Sequence, residues 1–170
     1  DPGYVKSLAH PGGNVTGVQL MALELVGKRI EVLKEMLPNL TRIAVIADPG
    51  HGGIQGEKEA SQTAADRFGI AVSFHPARDL LELRAALTAA RSAGTEALVL
   101  FPDQVTNPNR AEIAEFALLH RLPTASGWSN YADAGHLVTY GPNLRDSYRR
   151  TAHYVERILK GANPATLPVE

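Results

Sequence analysis

The sequence contains no cysteine in its 170 residues. This absence excludes disulfide bonds, thiol nucleophiles, iron–sulfur clusters and thiolate zinc sites. Tryptophan occurs once, and no apolar run approaches the roughly 20 residues that a membrane-spanning helix needs. An initiator methionine and a signal peptide are also missing, so we expect the chain to be a processed or excised piece.

The chain also lacks an excess of either charge. It has 17 basic and 18 acidic residues, which gives a formal net charge of −1. A balance so near zero provides no general electrostatic attraction to nucleic acid or to an anionic membrane. The basic residues near the end of the chain therefore indicate a solvated helix face or a contact with a partner protein, and no nucleic-acid partner is expected.

What the sequence does contain is a regular alternation of short apolar runs and longer helical patterns. Continuous apolar runs are typical of strands covered on both faces, as in a parallel sheet. The clear runs are 42–47, 70–74 and 97–101, and the weaker ones are 14–18, 122–125 and 136–140. The alternation predicts an α/β fold: an open, mostly parallel sheet with helices on both faces, in three layers.

Helices are predicted by apolar spacing and by end signals. Apolar residues recur at steps of three and four over 23–37, and a second helix is expected over 55–68. Asp79 with Glu82, and Asn109 with Glu112, have the spacing of a capping box. A last helix is expected after the cap Asn143, with five side chains directed inward: Leu144, Tyr148, Ala152, Val155 and Leu159. Residues 163–170 are predicted to form an extended tail that leads elsewhere.

Ligands of open α/β sheets bind outside the carboxyl ends of the strands. This rule selects the loops 48–53, 75–78, 102–107, 126–131 and 141–143. In the first loop, Gly50, Gly52 and Gly56 resemble the glycine pattern of dinucleotide sites, although no acidic residue ends the next strand. Three interpretations stay open here: a nucleotide site, a contact to a small anionic or zwitterionic ligand, and a plain surface turn.

Two later loops carry side chains suited to a small polar ligand. Asp103 and Gln104 can pair with an ammonium group and hydrogen-bond a polar headgroup, or Asp103 can simply turn the chain. Trp128, among hydroxyl and amide side chains, suits an amphipathic ligand, or it covers the edge of the core.

Catalytic patterns have no support in the sequence. The six histidines form no HExxH or other close ligand pair, and Ser126-Gly127 lacks the first glycine of a nucleophile elbow. A receiver domain needs an acidic pair after its first strand and a lysine after its fifth strand. Asp48 follows a strand, but neither the acidic pair nor the lysine accompanies it. We therefore expect neither an enzyme nor a metal or cofactor site.

Several stretches are together typical of one family. They include PGGNVTG at 11–17, the segment 24–38, AGHLVTYGPN at 134–143, ILKG at 158–161 and LPVE at 167–170. With these motifs the chain resembles the substrate-binding components of bacterial ABC importers of the tryptophan/tyrosine-binding type, over nearly its whole length.

The resemblance implies one part of a type I periplasmic-binding-protein fold, in which two α/β lobes hold a solute between them. Residues 1–16 would be a remnant of the first lobe and the first hinge crossing, and residues 17–139 the second, ligand-binding lobe. Residues 140–170 would be the hinge return, a helix packing on the first lobe or on a partner, and a tail. Since the first lobe would be absent, we expect the piece to cover its apolar faces by forming a homodimer or another compensating contact.

The resemblance also implies a function. The protein would capture a small solute, an amino acid or a related carboxylate, and present it to a membrane permease. Its location would be periplasmic, or extracytoplasmic with a membrane anchor. The alternative is a nucleotide-binding or enzymatic α/β domain that uses the glycines at 50–56.

Site residues follow from the resemblance position by position. Asp103, with Gln104 beside it, matches an acidic position that faces the cleft, and Gly127 and Trp128 match the loop after the next strand. The loop that begins at Asp48 departs from the asparagine-proline motif that is usual in the family. The candidate ligand contacts in this loop are therefore Asp48, His51 and Gln55. The hinge residues would be Asn14, Tyr140, Gly141 and Asn143.

Overall fold

Helices and strands alternate along the chain, as the apolar pattern predicts. The computed structural model describes residues 3–170, so the first two residues of the predicted 1–16 segment lie outside the described residues. The strands are β1 (Arg42–Ala47), β2 (Ala71–Pro76), β3 (Ala97–Leu100), β4 (Thr124–Ser126) and β5 (Val138–Thr139). The helices are α1 (Ala22–Met36), α2 (Ile54–Phe68), α3 (Leu80–Ser92), α4 (Arg110–Leu119), α5 (Ser129–Asp133) and α6 (Leu144–Leu159).

The five strands form one parallel sheet in the order β2-β1-β3-β4-β5. Strand β1 lies between β2 and β3, with Val45 opposite both Phe74 and Val99. Helices cover both faces because the central strands are apolar on both sides. Side chains of α1 and α2 pack on one face, and those of α3 and α4 pack on the other. The predicted fold class is confirmed.

Helix ends follow the predicted capping residues at two of three positions. The Asp79 carboxylate accepts a hydrogen bond from the Glu82 amide at 2.8 Å, and Asn143 caps α6 by accepting one from the Asp146 amide at 3.3 Å. The expected cap at Asn109 is wrong, because its side-chain amide donates to the Val105 carbonyl instead.

Two expectations about the ends of the described chain are wrong. Residues 14–18 form no strand, and residues 163–170 do not lead away. The Thr16 hydroxyl donates to the Leu167 carbonyl at 2.7 Å, and the Val169 amide donates to the Leu8 carbonyl at 2.7 Å. Leu167 is buried. These hydrogen bonds with Leu8 and Thr16 therefore hold the tail in place.

The apolar face predicted to point inward on α6 is instead largely exposed. Leu159 is 82% exposed, Tyr148 72% and Val155 50%. The buried side chain of this helix is Tyr154, whose hydroxyl donates to the Pro168 carbonyl. The spacing of its apolar residues makes α6 amphipathic. The residues that the structure describes supply no core for the apolar face of this helix to pack against.

The described chain divides into two compact units. One consists of the described part of residues 1–21 together with Pro142–Glu170, and the other is Ala22–Gly141, which holds the whole sheet. The predicted lobe boundaries at 16/17 and 139/140 remain a prediction. Among residues 3–170, no helix is long and apolar enough to cross a membrane.

A buried histidine predicts that the stability of the sheet unit depends on pH. His136 is 5% exposed, its Nε2 donates to the Arg110 carbonyl at 2.8 Å, and its ring meets Tyr131 edge-on. Burial lowers the pKa of His136 from its ordinary value of 6.5, and burial also lowers the pKa of His75. The two histidines therefore bind protons more readily in the unfolded chain than in the folded one. The stability present above pH 6.5 is lost as the pH falls through their lowered pKa values.

We therefore expect urea unfolding to show a lower free energy of unfolding at pH 5 than at pH 7.5, and a smaller difference in His136→Gln. The exposed His153→Gln is the matched control. An equal drop in His136→Gln and wild type would contradict this assignment.

Candidate functional site

Two acidic residues meet at the carboxyl edge of the sheet, where β1 and β3 end side by side. Asp48 follows β1 and Asp103 follows β3 by three residues. The Asp48 backbone amide donates to Asp103 Oδ2 at 2.7 Å, which ties the two loops together.

The carboxylate of Asp103 is largely used by the backbone. Besides the Asp48 amide, it accepts hydrogen bonds from the amides of Val105 at 2.8 Å and Thr106 at 2.7 Å. Asp103 is 8% exposed. An ionised carboxylate has about four lone-pair sites, so three amides leave about one for a ligand. The geometry therefore indicates that Asp103 stabilises the two loops that it joins. Its direct contact with a solute stays a prediction.

Asp48 has more unused hydrogen-bond acceptor capacity than Asp103, although the residue is only 3% exposed. Its Oδ1 accepts from the Gly50 amide at 2.8 Å and its Oδ2 accepts from Gln104 Nε2 at 2.7 Å, so each oxygen keeps a free lone pair. The hydrogen bond from the Gly50 amide, followed by that from Gln104, lowers the pKa of Asp48. The carboxylate is therefore ionised at neutral pH.

These side chains line an open depression of about 230 Å³. Its walls are Asp48, Gly50, His51, Gly52, Asp103 and Gln104. Pockets for drug-sized ligands are about 300–1,000 Å³, so this depression suits one polar head of a small molecule. The fold thus brings together four of the predicted ligand contacts: Asp48, His51, Asp103 and Gln104.

The other three predicted contacts lie outside this depression. Gln55 is exposed on α2, where its amide donates to Glu59 at 2.7 Å. Trp128 is half-buried and packs against the core on the α3 and α4 side. Gly127 lies against the guanidinium of Arg29, since a Cβ placed on it would be 2.6 Å from Arg29 Nη2.

The predicted hinge residues have modest local roles. The Tyr140 amide donates to the Ser126 carbonyl at 2.9 Å, and Asn143 caps α6. Asn14 is exposed. A Cβ on Gly141 would lie 1.7 Å from the Gly127 carbonyl oxygen, so only glycine fits there. Their hinge role remains a prediction.

Sequence reasoning missed two buried charged residues near the depression. Arg29 and Glu57 are each 3% exposed, and Glu57 Oε2 lies 3.3 Å from His51 Nε2 as an ion contact without hydrogen-bond alignment. A signal was present, because Arg29 interrupts the apolar spacing of α1 between Val26 and Leu33. Charged residues on the inward face of a helix are seldom fully buried unless paired.

The glycines of the first loop serve packing and turning. A Cβ on Gly56 would lie 2.9 Å from Leu23 Cδ2, so this glycine permits close contact between α1 and α2. The Gly50 amide is already engaged by Asp48, whose negative charge opposes a phosphate at this loop. The arrangement disfavours the nucleotide alternative. In the part of the chain that the structure describes, no group of three acidic or histidine side chains is arranged to hold a metal ion.

The chain is similar to known proteins in sequence pattern and in fold. A family model described as "ABC transporter substrate binding protein" matches residues 2–170. No curated protein sequence shows significant similarity to the chain.

Solved structures match over nearly the whole chain. One is an ABC domain in complex with L-Trp from Streptococcus pneumoniae, with a TM-score of 0.83, 23% identity, and coverage of 98% of this chain and 57% of that one. A conserved domain protein from Vibrio cholerae has a TM-score of 0.85 and 26% identity, covering 97% and 55%. A ligand-free, open substrate-binding protein from Clostridium difficile has a TM-score of 0.73 and 22% identity, covering 100% and 58%. The chain thus spans little more than half the length of these proteins, and it has their fold.

Proposed function

Because the chain belongs to the family of ABC transporter substrate binding proteins, we propose that it contributes one lobe to the capture of a small solute, an amino acid or a related carboxylate. The observation that carries this proposal is the ionised Asp48 carboxylate, which lines the depression with a lone pair free on each oxygen. Such a group suits an ammonium headgroup, which donates three hydrogen bonds. A related structure that holds L-Trp supports this class of solute.

The mechanism would be closure of two lobes around the solute. Contacts made only in the closed form shift the population toward it. In this proposal Asp48, His51 and Gln104 contact the polar head, Asp103 braces their loops, and Trp128 covers an apolar part. Residues near Asn14 and Tyr140–Asn143 bend as the hinge.

We further propose the lobe boundaries inferred above, with residues 17–139 as the second lobe. The exposed apolar face of α6 would be covered by a first lobe, for which the greater length of the related structures leaves room. The loaded protein would present its solute to a membrane permease on the extracytoplasmic side. No catalytic step is proposed.

A thermal-shift screen of the complete gene product tests the proposal. We expect the unfolding midpoint to rise with one or a few of the proteinogenic L-amino acids and to stay unchanged with NAD and ATP. A shift with NAD or ATP and none with any amino acid would favour the nucleotide alternative.

Asp48→Asn is expected to weaken solute binding selectively. Because a hydrogen bond to a charged group is worth about 1.5–3 kcal/mol, we expect the affinity for L-tryptophan to fall about 10- to 100-fold in calorimetric titration. Indole-3-propionic acid, which lacks the ammonium group, should bind wild type and variant alike, and its binding also reports an intact site. The exposed Asp133→Asn is the control. An equal loss for both ligands would contradict the assigned role of Asp48.

A further inference from the structure

The imidazole of His51 is held at the wall of the depression by two neighbours. Its Nε2 lies 3.3 Å from Glu57 Oε2, and its side chain is 33% exposed. A Cβ on Gly53 would lie 3.3 Å from the same nitrogen and 4.0 Å from Glu57 Cδ, so the ring and the carboxyl group both pack against this glycine. The Nε2 edge of the ring is thus enclosed, and Nδ1 is the ring nitrogen that remains for the depression.

The carboxylate of Glu57 needs a hydrogen-bond donor at this place. Glu57 is 3% exposed, and its Oε2 is buried without an aligned hydrogen bond from the residues that the structure describes. Burial raises the pKa of Glu57, and the neighbouring His51 opposes that rise. An imidazole holds a proton more firmly than a carboxyl group does. The pair is therefore most stable with the proton on His51 Nε2, which leaves Nδ1 as an acceptor.

The other side chains of the depression also offer acceptors. Gln104 donates through Nε2 to Asp48 Oδ2 at 2.7 Å, so Oε1 is the free acceptor of its amide. Asp48 keeps a lone pair on each oxygen. Together with His51 Nδ1, three residues present lone pairs to one small volume. A primary ammonium group carries three N–H donors and matches such a set, whereas a carboxylate would meet lone pairs with its own.

We propose that Glu57 is a positioning residue, which holds His51 so that Nδ1 completes a set of acceptors for the primary ammonium group of the solute. Glu57 itself touches no solute. The assignment rests on the proposed function, because it takes the depression as the place where the polar head binds. It goes further in specificity: an N-methyl group replaces one donor and leaves one acceptor unpaired, so N-methylated solutes are rejected.

The position of the His51 proton in the free protein is the first test, and it needs no solute. In the complete gene product at pH 8, where histidine is ordinarily neutral, we expect a long-range ¹H–¹⁵N correlation spectrum to place this proton on Nε2. His51→Asn identifies the signals. Glu57→Gln, whose amide can donate to Nε2, should move part of the population to the Nδ1–H tautomer.

The control for this spectrum is Glu115→Gln, the same change at an exposed glutamate, which should leave the His51 signals as in wild type. A proton on Nδ1 in the wild type, or His51 signals that Glu57→Gln does not alter, would overturn the proposal.

Calorimetric titration of the complete gene product then tests the specificity, with L-tryptophan and N-methyl-L-tryptophan as probes. We expect wild type and Glu115→Gln to prefer the primary amine at least about tenfold. His51→Ala and Glu57→Gln should each reduce this preference to about threefold or less. If Glu57→Gln weakened both probes by the same factor, its role would be purely structural and the proposal would be refuted. If neither probe bound the wild type, that result would count against the proposed function, and the proton position alone would decide the role of Glu57.

Discussion

Replacing Gly141 with alanine is expected to lower the free energy of unfolding by about 3 kcal/mol or more. The added Cβ would lie 1.7 Å from the Gly127 carbonyl oxygen and 2.7 Å from its carbonyl carbon. These are backbone atoms, so no side-chain rotation relieves the clash. Gly127 itself has little free space, since a Cβ on it would lie 2.6 Å from Arg29 Nη2.

The matched control is Gly52→Ala, another glycine-to-alanine change in the sheet unit. A Cβ on Gly52 meets no atom within 4 Å, so its effect on unfolding should stay within about 0.5 kcal/mol. Urea unfolding of the two variants beside wild type measures the contrast. Equal stability of Gly141→Ala and Gly52→Ala would show that the two glycine loops do not pack as described.

Asp103→Asn is expected to cost about 3 kcal/mol of stability, despite being nearly isosteric. The Asp103 carboxylate accepts from three backbone amides, of Asp48, Val105 and Thr106. In asparagine one oxygen becomes an NH₂ donor, which would face an amide donor. At least one buried amide then loses its acceptor and carries its full desolvation cost.

The exposed Asp133→Asn is again the control, with an expected change within about 0.5 kcal/mol. Chemical denaturation measures both variants. A stability near wild type combined with lost solute affinity would instead make Asp103 a direct ligand contact, as its position in the sequence suggested.

The strands and the fold class were predictable because their cause is local. β1 and β3 are continuous apolar runs, and such runs need cover on both faces whatever the connections between them. The capping signals at Asp79 and Asn143 were equally local, since each side chain meets a backbone amide only three residues away.

The remaining features depend on partners far away in the sequence. The apolar pattern of α6 predicted a buried face, but burial requires a surface that the described residues do not supply. Position after a strand predicted that Asp103 faces a ligand. The amides of Val105 and Thr106 that bind its carboxylate are local, whereas the contact with the Asp48 amide became apparent only when β1 and β3 lay side by side. Arg29 and Glu57 were missed in the sequence, because nothing local showed that these two charged residues are buried.

The central proposal is that the protein binds a small solute, an amino acid or a related carboxylate, and one measurement tests it most directly. The complete gene product is dialysed against a mixture of the proteinogenic L-amino acids with ATP, then denatured, and the released molecules are quantified. We expect close to one equivalent of a single amino acid and no ATP above the buffer level. Retention of ATP, with no amino acid above the buffer level, would contradict the claim.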